Sequence, residues 1–340
     1  MLKGHGDDLY AYGGRIKHNF SSNVYGHFDH SGLKKHLAQR LDYIDKYPEP
    51  DASQLEEAIA QWLCIPTESL MVTAGATDAI YTIANHRHGG KSVIVGPTFS
   101  EYEDACIANG HQVDYISIFA PIVGNAPDYL WICNPNNPDG RFRSTDEIIE
   151  VRAKMPDTTV ILDQAYADYT DSPMFAPAES LRIPNLICLH SMTKSFGVPG
   201  LRVGYITGPE AIISQLKKLR KPWSISQQAI DAGIYLIKHK TEYTIPSRLL
   251  ISENNRIASA LEELGIEQVG RSQTNFSLYR LPKGSATELK EYLAENHSIL
   301  IRDASNFHEL DERYFRVAAQ LPEENDLLIN AIRKWIESLP

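Results

Sequence analysis

Short apolar runs punctuate the first two-thirds of the chain. Those at Leu70–Thr73, 92–95, Tyr129–Cys133, 160–162, 186–189 and 203–206 read as buried strands. Between them, helical patterns span 77–85 and 100–108. Ser144-Thr145-Asp146-Glu147 forms a capping box that opens a helix between the strands at 129–133 and 160–162. This alternation predicts an α/β architecture, a largely parallel sheet with helices on both faces. Ligands of such sheets gather past the carboxyl ends of the strands.

The flanking regions are patterned differently. The first thirty residues, rich in Gly, His, Asn and Tyr, read as an irregular arm. Ser31 precedes Leu33, Leu37, Leu41 and Ile44, which share one helical face. Ser53-Gln54-Leu55-Glu56 reads as a capping box opening a helix through Leu63, and the stiff loop Tyr47-Pro48-Glu49-Pro50 lies between the two helices. After Pro209 the pattern is mostly helical to about Lys240. A long helix from Pro246 carries Leu249, Leu250, Ile257 and Leu261, followed by strand, helix, strand, strand and helix, ending near Leu339. The expected organisation is an N-terminal arm (1–30), a large domain (31–245) and a small α+β domain (246–340).

Composition narrows the classes. The 340 residues suit about two domains, and 43% hydrophobic with 22% charged residues excludes disorder and coiled coil. A net charge of -10 argues against nucleic acid as a partner. Cys64, Cys106, Cys133 and Cys188 lie far apart with no CxxC, which predicts buried free thiols in a reducing compartment. The start turns polar at once, as a signal peptide does not, and no apolar run approaches the length of a membrane span. The expectation is a soluble cytoplasmic protein without membrane association.

Candidate chemistry clusters at the predicted strand ends. Ala74-Gly75-Ala76-Thr77 follows the first strand and Pro97-Thr98-Phe99 the second. Then come Asn134-Pro135-Asn136-Asn137-Pro138-Asp139-Gly140, Asp163-Gln164-Ala165-Tyr166 and Ser191-Met192-Thr193-Lys194, with Arg202 eight residues on in Pro199-Gly200-Leu201-Arg202. Taken singly, each has an ordinary reading as a turn, an N-cap or a surface charge. His86-x-His88 and His27-x-x-His30 lack a completing carboxylate or cysteine at ligand spacing, so solvated histidines are expected and no metal.

As an ordered set, these residues resemble the pyridoxal-phosphate (PLP) enzymes of the class I/II aminotransferase family, over nearly the whole chain. The resemblance implies fold type I: a large domain with a mostly parallel seven-stranded sheet and a smaller α+β domain. It implies that Lys194 forms a Schiff base with the cofactor and then moves protons at Cα. Asp163 would pair with the pyridine nitrogen, and Tyr166 and Asn137 would donate to the ring's phenolic oxygen. Gly75, Ala76, Thr77, Ser191 and Arg202 would hold the phosphate. Phe99 would stack on the ring, whereas Tyr102 reads as a core aromatic. Tyr47 would reach the phosphate of a neighbouring subunit in a homodimer. Arg316 would grip the substrate carboxylate, with Arg302 a second candidate.

The branch it most resembles contains histidinol-phosphate aminotransferase and threonine-phosphate decarboxylase. Asn19-Phe20-Ser21-Ser22-Asn23 resembles that branch's "FSAN" pattern and implies that Asn23 contacts substrate. His5-Gly6-Asp7-Asp8 departs from its "HGGN", and Asp139 stands where the family usually has Thr. The implied activity is chemistry at Cα of a small phosphorylated amino acid, best matched by decarboxylation of threonine phosphate. The alternative is an aminotransferase using 2-oxoglutarate and glutamate. Outside this class stand a PLP-binding regulator, which would bind PLP without turning over an amine, and a dehydrogenase-like sheet, which would bind no PLP.

Overall fold

A computed structural model describes residues 6–117 and 126–339. Strand β1 (His18–Asn19) lies in the arm. β2 (Leu70–Thr73), β3 (Lys91–Gly96), β4 (Gln112–Ser117), β5 (Tyr129–Cys133), β6 (Thr159–Asp163), β7 (Leu186–Ser191) and β8 (Gly204–Thr207) follow. They form one seven-stranded sheet in the order β2-β8-β7-β6-β5-β3-β4. β8 runs antiparallel to β2 and β7, and the other pairings are parallel. The remaining strands are β9 (Glu267–Gln268), β10 (Phe276–Arg280), β11 (Ile299–Leu300), β12 (Arg302–Asp303) and β13 (Tyr314–Ala318). An antiparallel sheet takes the order β12-β13-β10-β9, and β11 pairs in parallel with β1.

Period-two alternation sends successive side chains of each strand into opposite cores. Tyr129, Trp131 and Cys133 of β5 pack with Ile80, Ile83 and Tyr102 from the helices Ala76–His86 and Glu101–Ala108. Leu130 and Ile132 pack on the other face with Ile148 and Val151 of the helix Thr145–Lys154. Every residue of β5 and β6 is buried, as expected of strands covered on both faces. A separate core lies beside the four-stranded sheet, where Phe20 of the arm packs with Leu261, Leu293, Phe315 and Trp335. The arm is therefore anchored by a buried aromatic as well as by β1.

Four expectations are corrected. The helix begun at Ser31 stops at Ala38; Leu41 and Ile44 are exposed, and Arg40 turns to ion-pair with Asp231. The helix Ser53–Leu63 has no Ser53 cap: Ala52 is the N-cap, and the Glu49 carboxylate accepts from the Ser53 hydroxyl and the Gln54 amide, both at 3.0 Å. Glu56 turns inward instead, accepting from the Val72 amide and pairing with Lys217 and Arg220. Cys64 is exposed, while Cys106, Cys133 and Cys188 are buried thiols. No helix among the described residues is long and apolar enough to cross a membrane.

Candidate active site

A cavity of about 360 Å³ opens past the carboxyl ends of the central strands, walled by the arm, the seven-stranded sheet and the loops of the four-stranded sheet. Its volume is in the range of small-ligand sites. Into it come Ala76 and Thr77 after β2, Phe99 after β3 and Asn137 after β5. Asp163 ends β6 and Tyr166 follows it, Ser191 ends β7 with Lys194 one turn on, and Arg202 precedes β8. The arm adds Asn23, and β12 and β13 add Arg302 and Arg316.

One end of the cavity is built for an anion. The helix Ala76–His86 starts at Gly75, whose φ of +86° favours glycine, and no side chain caps it. Its free N–H groups and positive dipole end point at the cavity. The Arg202 guanidinium packs so tightly there that a Cβ on Gly75 would lie 2.7 Å from Nη2. Ser191 and Thr77 bring hydroxyls to the same wall.

At the other end lies a buried carboxylate. Asp163 Oδ2 accepts from the Tyr102 hydroxyl at 2.6 Å, and Oδ1 accepts from the Ala165 amide at 2.9 Å. Burial lifts the Asp163 pKa above the ordinary carboxylate value; the Tyr102 bond, the Ala165 amide and the charge of Lys194 oppose that rise. Between the two ends stands Lys194, its Nζ 5.6 Å from the centre of the Tyr166 ring. Burial, then the charges of Arg316 and Arg202, lower its pKa to about 8, against the opposing pull of Asp7 and Asp163.

The third wall is basic. Arg302 and Arg316 are directly opposite partners on antiparallel β12 and β13, so both guanidiniums leave the same sheet face. Arg316 donates to Asn137 Oδ1 and to the Ser21 carbonyl, and Arg302 donates to Asn306 Oδ1 and the Asp303 carbonyl, both at 2.7 Å. Burial brings both pKa values down to about 10, so both stay charged at neutral pH. Asn23 donates to the Tyr166 hydroxyl at 3.3 Å. Asn23 Oδ1, Thr193 Oγ1 and Arg316 Nε are buried with no hydrogen-bond partner among the described residues. A phosphate-binding end, a buried carboxylate opposite, an amine between them and the aromatic wall of Phe99 fit a planar phosphorylated heterocycle.

Tyr47 is not in this cavity; it is exposed and tilted against Trp223. His5 lies outside the described residues, while Asp7 lines the cavity and Asp8 pairs with Lys290 at 2.6 Å. Asp139 is buried, and its Oδ1 accepts from Asn136 at 2.8 Å and from the Arg141 amide at 3.2 Å, bracing the loop that carries Asn137. The histidines are less free than expected: His86 bonds Tyr129 and Gln215, His27 pairs with Glu324 and His30 bonds the Phe196 carbonyl, while His88 is exposed. Among the described residues, no group of His, Cys, Asp and Glu suits a metal. Tyr102 packs in the core as expected; what sequence reasoning missed is that its hydroxyl bonds Asp163 at the cavity wall, for which the sequence carries no signal.

Comparison with known proteins agrees with this geometry. The family model described as Aminotransferase class I and II matches residues 15–332. A putative threonine-phosphate decarboxylase of Caldanaerobacter subterraneus subsp. tengcongensis is 31% identical, over 86% of this chain and 84% of that protein. A histidinol-phosphate aminotransferase of Ruminiclostridium cellulolyticum is 28% identical, over 88% and 87%. The crystal structure of L-threonine-O-3-phosphate decarboxylase from Porphyromonas gingivalis superposes with a TM-score of 0.92 and 38% identity, covering 95% of this chain and all of that one.

Proposed function

The chain belongs to the aminotransferase class I and II family and is a PLP-dependent enzyme, and from that premise we propose that it decarboxylates L-threonine O-3-phosphate. The observation that carries this reading is the register-paired couple Arg302 and Arg316, two buried cations on one wall of the cavity. A substrate with two anionic groups, a carboxylate and a phosphate, answers both charges. The likeness to the Porphyromonas gingivalis decarboxylase supports the same choice.

PLP fits the donor set described above. Gly75, Ala76, Thr77, Ser191 and Arg202 would hold its phosphate, Asp163 its ring nitrogen, Tyr166 and Asn137 its phenolic oxygen, and Phe99 its ring face. When bound, the cofactor supplies an electron sink for the pair left at Cα. Lys194, with its lowered pKa, would supply the neutral amine that holds the cofactor and would return a proton to Cα after loss of CO2. Arg316 holds the substrate carboxylate through its fork, Arg302 the distal phosphate, and Asn23 orients Tyr166 from the arm. With Arg316 and Arg302 fixing how the substrate carboxylate is turned, its orientation would decide between loss of CO2 and loss of the Cα proton.

The test uses the full chain with PLP. Threonine phosphate should yield CO2 and no glutamate when 2-oxoglutarate is present. Glutamate formed from histidinol phosphate and 2-oxoglutarate would overturn the proposal in favour of transamination, a reading the 28% identical aminotransferase supports and for which two arginines would serve the two carboxylates of glutamate.

Three further assignments complete the reading. The arm is 1–30, the large domain 31–245 and the small domain 246–340, a division supported by the two sheets with separate cores. The active form is a homodimer in which Tyr47 enters the neighbour's site, supported by the exposed Ile44, Tyr47 and Trp223. The compartment is cytoplasmic, supported by four free thiols.

A further inference from the structure

We propose that Tyr102 is a positioning residue for the cofactor's ring nitrogen, acting by holding Asp163 ionised and fixed in plane. This rests on the assignment of Asp163 as the ring-nitrogen partner. Among the described residues, Tyr102 is the only side chain that hydrogen-bonds Asp163, through the 2.6 Å contact to Oδ2. The Ala165 amide occupies Oδ1, so each oxygen has one donor and the carboxylate cannot turn without breaking a bond. Tyr102 is itself immobilised: it is 1% exposed, stacked on Trp131 at 5.5 Å and 22°, and met edge-on by Phe99 at 5.8 Å. The phenol and the carboxylate come from segments 61 residues apart and meet at the cavity wall, where both line the ligand space.

The chemistry explains why a tyrosine suits this place. A buried carboxylate tends to take up a proton, and a neutral acid cannot hold a proton on a ring nitrogen. Tyr102 gives the carboxylate form a donor and so opposes that uptake. Burial and the neighbouring Asp163 charge keep the phenol protonated well above the usual tyrosine range, so it remains a donor throughout the working pH range. Phenylalanine would keep the ring contacts with Trp131 and Phe99 and remove only the hydroxyl.

The experiment compares PLP with its deaza analogue, which carries carbon in place of the ring nitrogen. Both are titrated onto the full chain stripped of cofactor, in wild type, Tyr102→Phe, Asp163→Asn and the double variant. Tyr102→Phe is expected to lose on the order of 10-fold in PLP affinity, the effect of one hydrogen bond to a charged group. Its affinity for the deaza analogue should stay within about twofold, a selectivity that a packing role would not produce. Adding Tyr102→Phe to Asp163→Asn should cost nothing further in discrimination. Equal weakening toward both ligands, or no weakening toward either, overturns the proposal. If Asp163→Asn keeps wild-type discrimination, the assignment of Asp163 fails first and takes this inference with it. If Asp163→Asn loses discrimination while Tyr102→Phe retains it, this inference alone fails.

Discussion

As the amine proposed to carry the cofactor, Lys194 has to be neutral in a cavity that also holds three arginines, and two of them do part of the work. Burial and the charges of Arg316 and Arg202 bring its pKa to about 8. Only the neutral form attaches to an aldehyde, so PLP incorporation into cofactor-free chain should speed up as pH rises and level off with a midpoint about 8. Stopped-flow absorbance across pH 6 to about 10 checks this; an ordinary lysine would still be gaining rate toward about 10.4. Lys194→Ala should abolish both incorporation and the visible band. Lys194 and Asp163 were legible because each follows an apolar run at a strand end, where doubly wound sheets place their chemistry. Tyr102 was not: an aromatic on an apolar helix face looks the same in sequence whether its hydroxyl ends in a carboxylate or in solvent.

At the scale of elements, the loop from Asn134 to Arg143 is the most tightly specified. Gly140 has a φ of +70°, and a Cβ there would lie 2.7 Å from the Phe276 carbonyl and closer still to Ser272. Gly140→Ala should therefore cost about 1–3 kcal/mol in urea unfolding and, by shifting Asn137, weaken cofactor binding too. Burial pushes Asp139 in the same loop up to about 6 from 3.8. The folded chain then binds a proton more readily than the unfolded one, so this residue's contribution is present at low pH and is lost as pH rises from about 4 through 6. Asp139→Asn should thus gain stability relative to wild type on going from pH 4.5 to pH 7, read as the gap between their urea midpoints. A third test concerns Glu56, which is buried between Lys217, Arg220 and the Val72 amide. Glu56→Ala leaves those partners uncompensated and should cost about 3–5 kcal/mol. Capping-box matching alone would have made Glu56 a surface cap. The pattern Ser-x-x-Glu cannot tell which way the glutamate turns when Glu49 already satisfies the free amides. β4 escaped notice for a related reason: it is an edge strand, partly exposed, and Gln112-Val113-Asp114-Tyr115 lacks an apolar run.

Across the whole molecule, the cavity is complete on three sides within one chain, and the fourth contributor proposed for it points outward. Tyr47 is 87% exposed, on a loop that also turns Ile44 to solvent and meets Trp223. An exposed aromatic patch of this kind suits an isologous interface, in which each chain lends the same residue to the other. That arrangement makes a specific claim about mixed dimers. On the proposed roles, Lys194→Ala chains would be unable to attach cofactor, and Tyr47→Ala chains would have a full set of their own residues yet lack the neighbour's hydroxyl. In a hybrid of the two, one site combines both defects and the other combines the intact Lys194 of one chain with the intact Tyr47 of its partner. Random reassociation of equal amounts makes half of the dimers hybrids with one whole site each, so activity should return to about a quarter of the wild-type level. If Tyr47 served its own chain, the hybrid would contain no whole site and mixing would restore nothing. Analytical ultracentrifugation of Trp223→Glu supplies the complementary reading, because a charge placed in that patch should shift the chain toward monomer and lower PLP affinity together. A monomer that retained wild-type affinity would detach Tyr47 from the site.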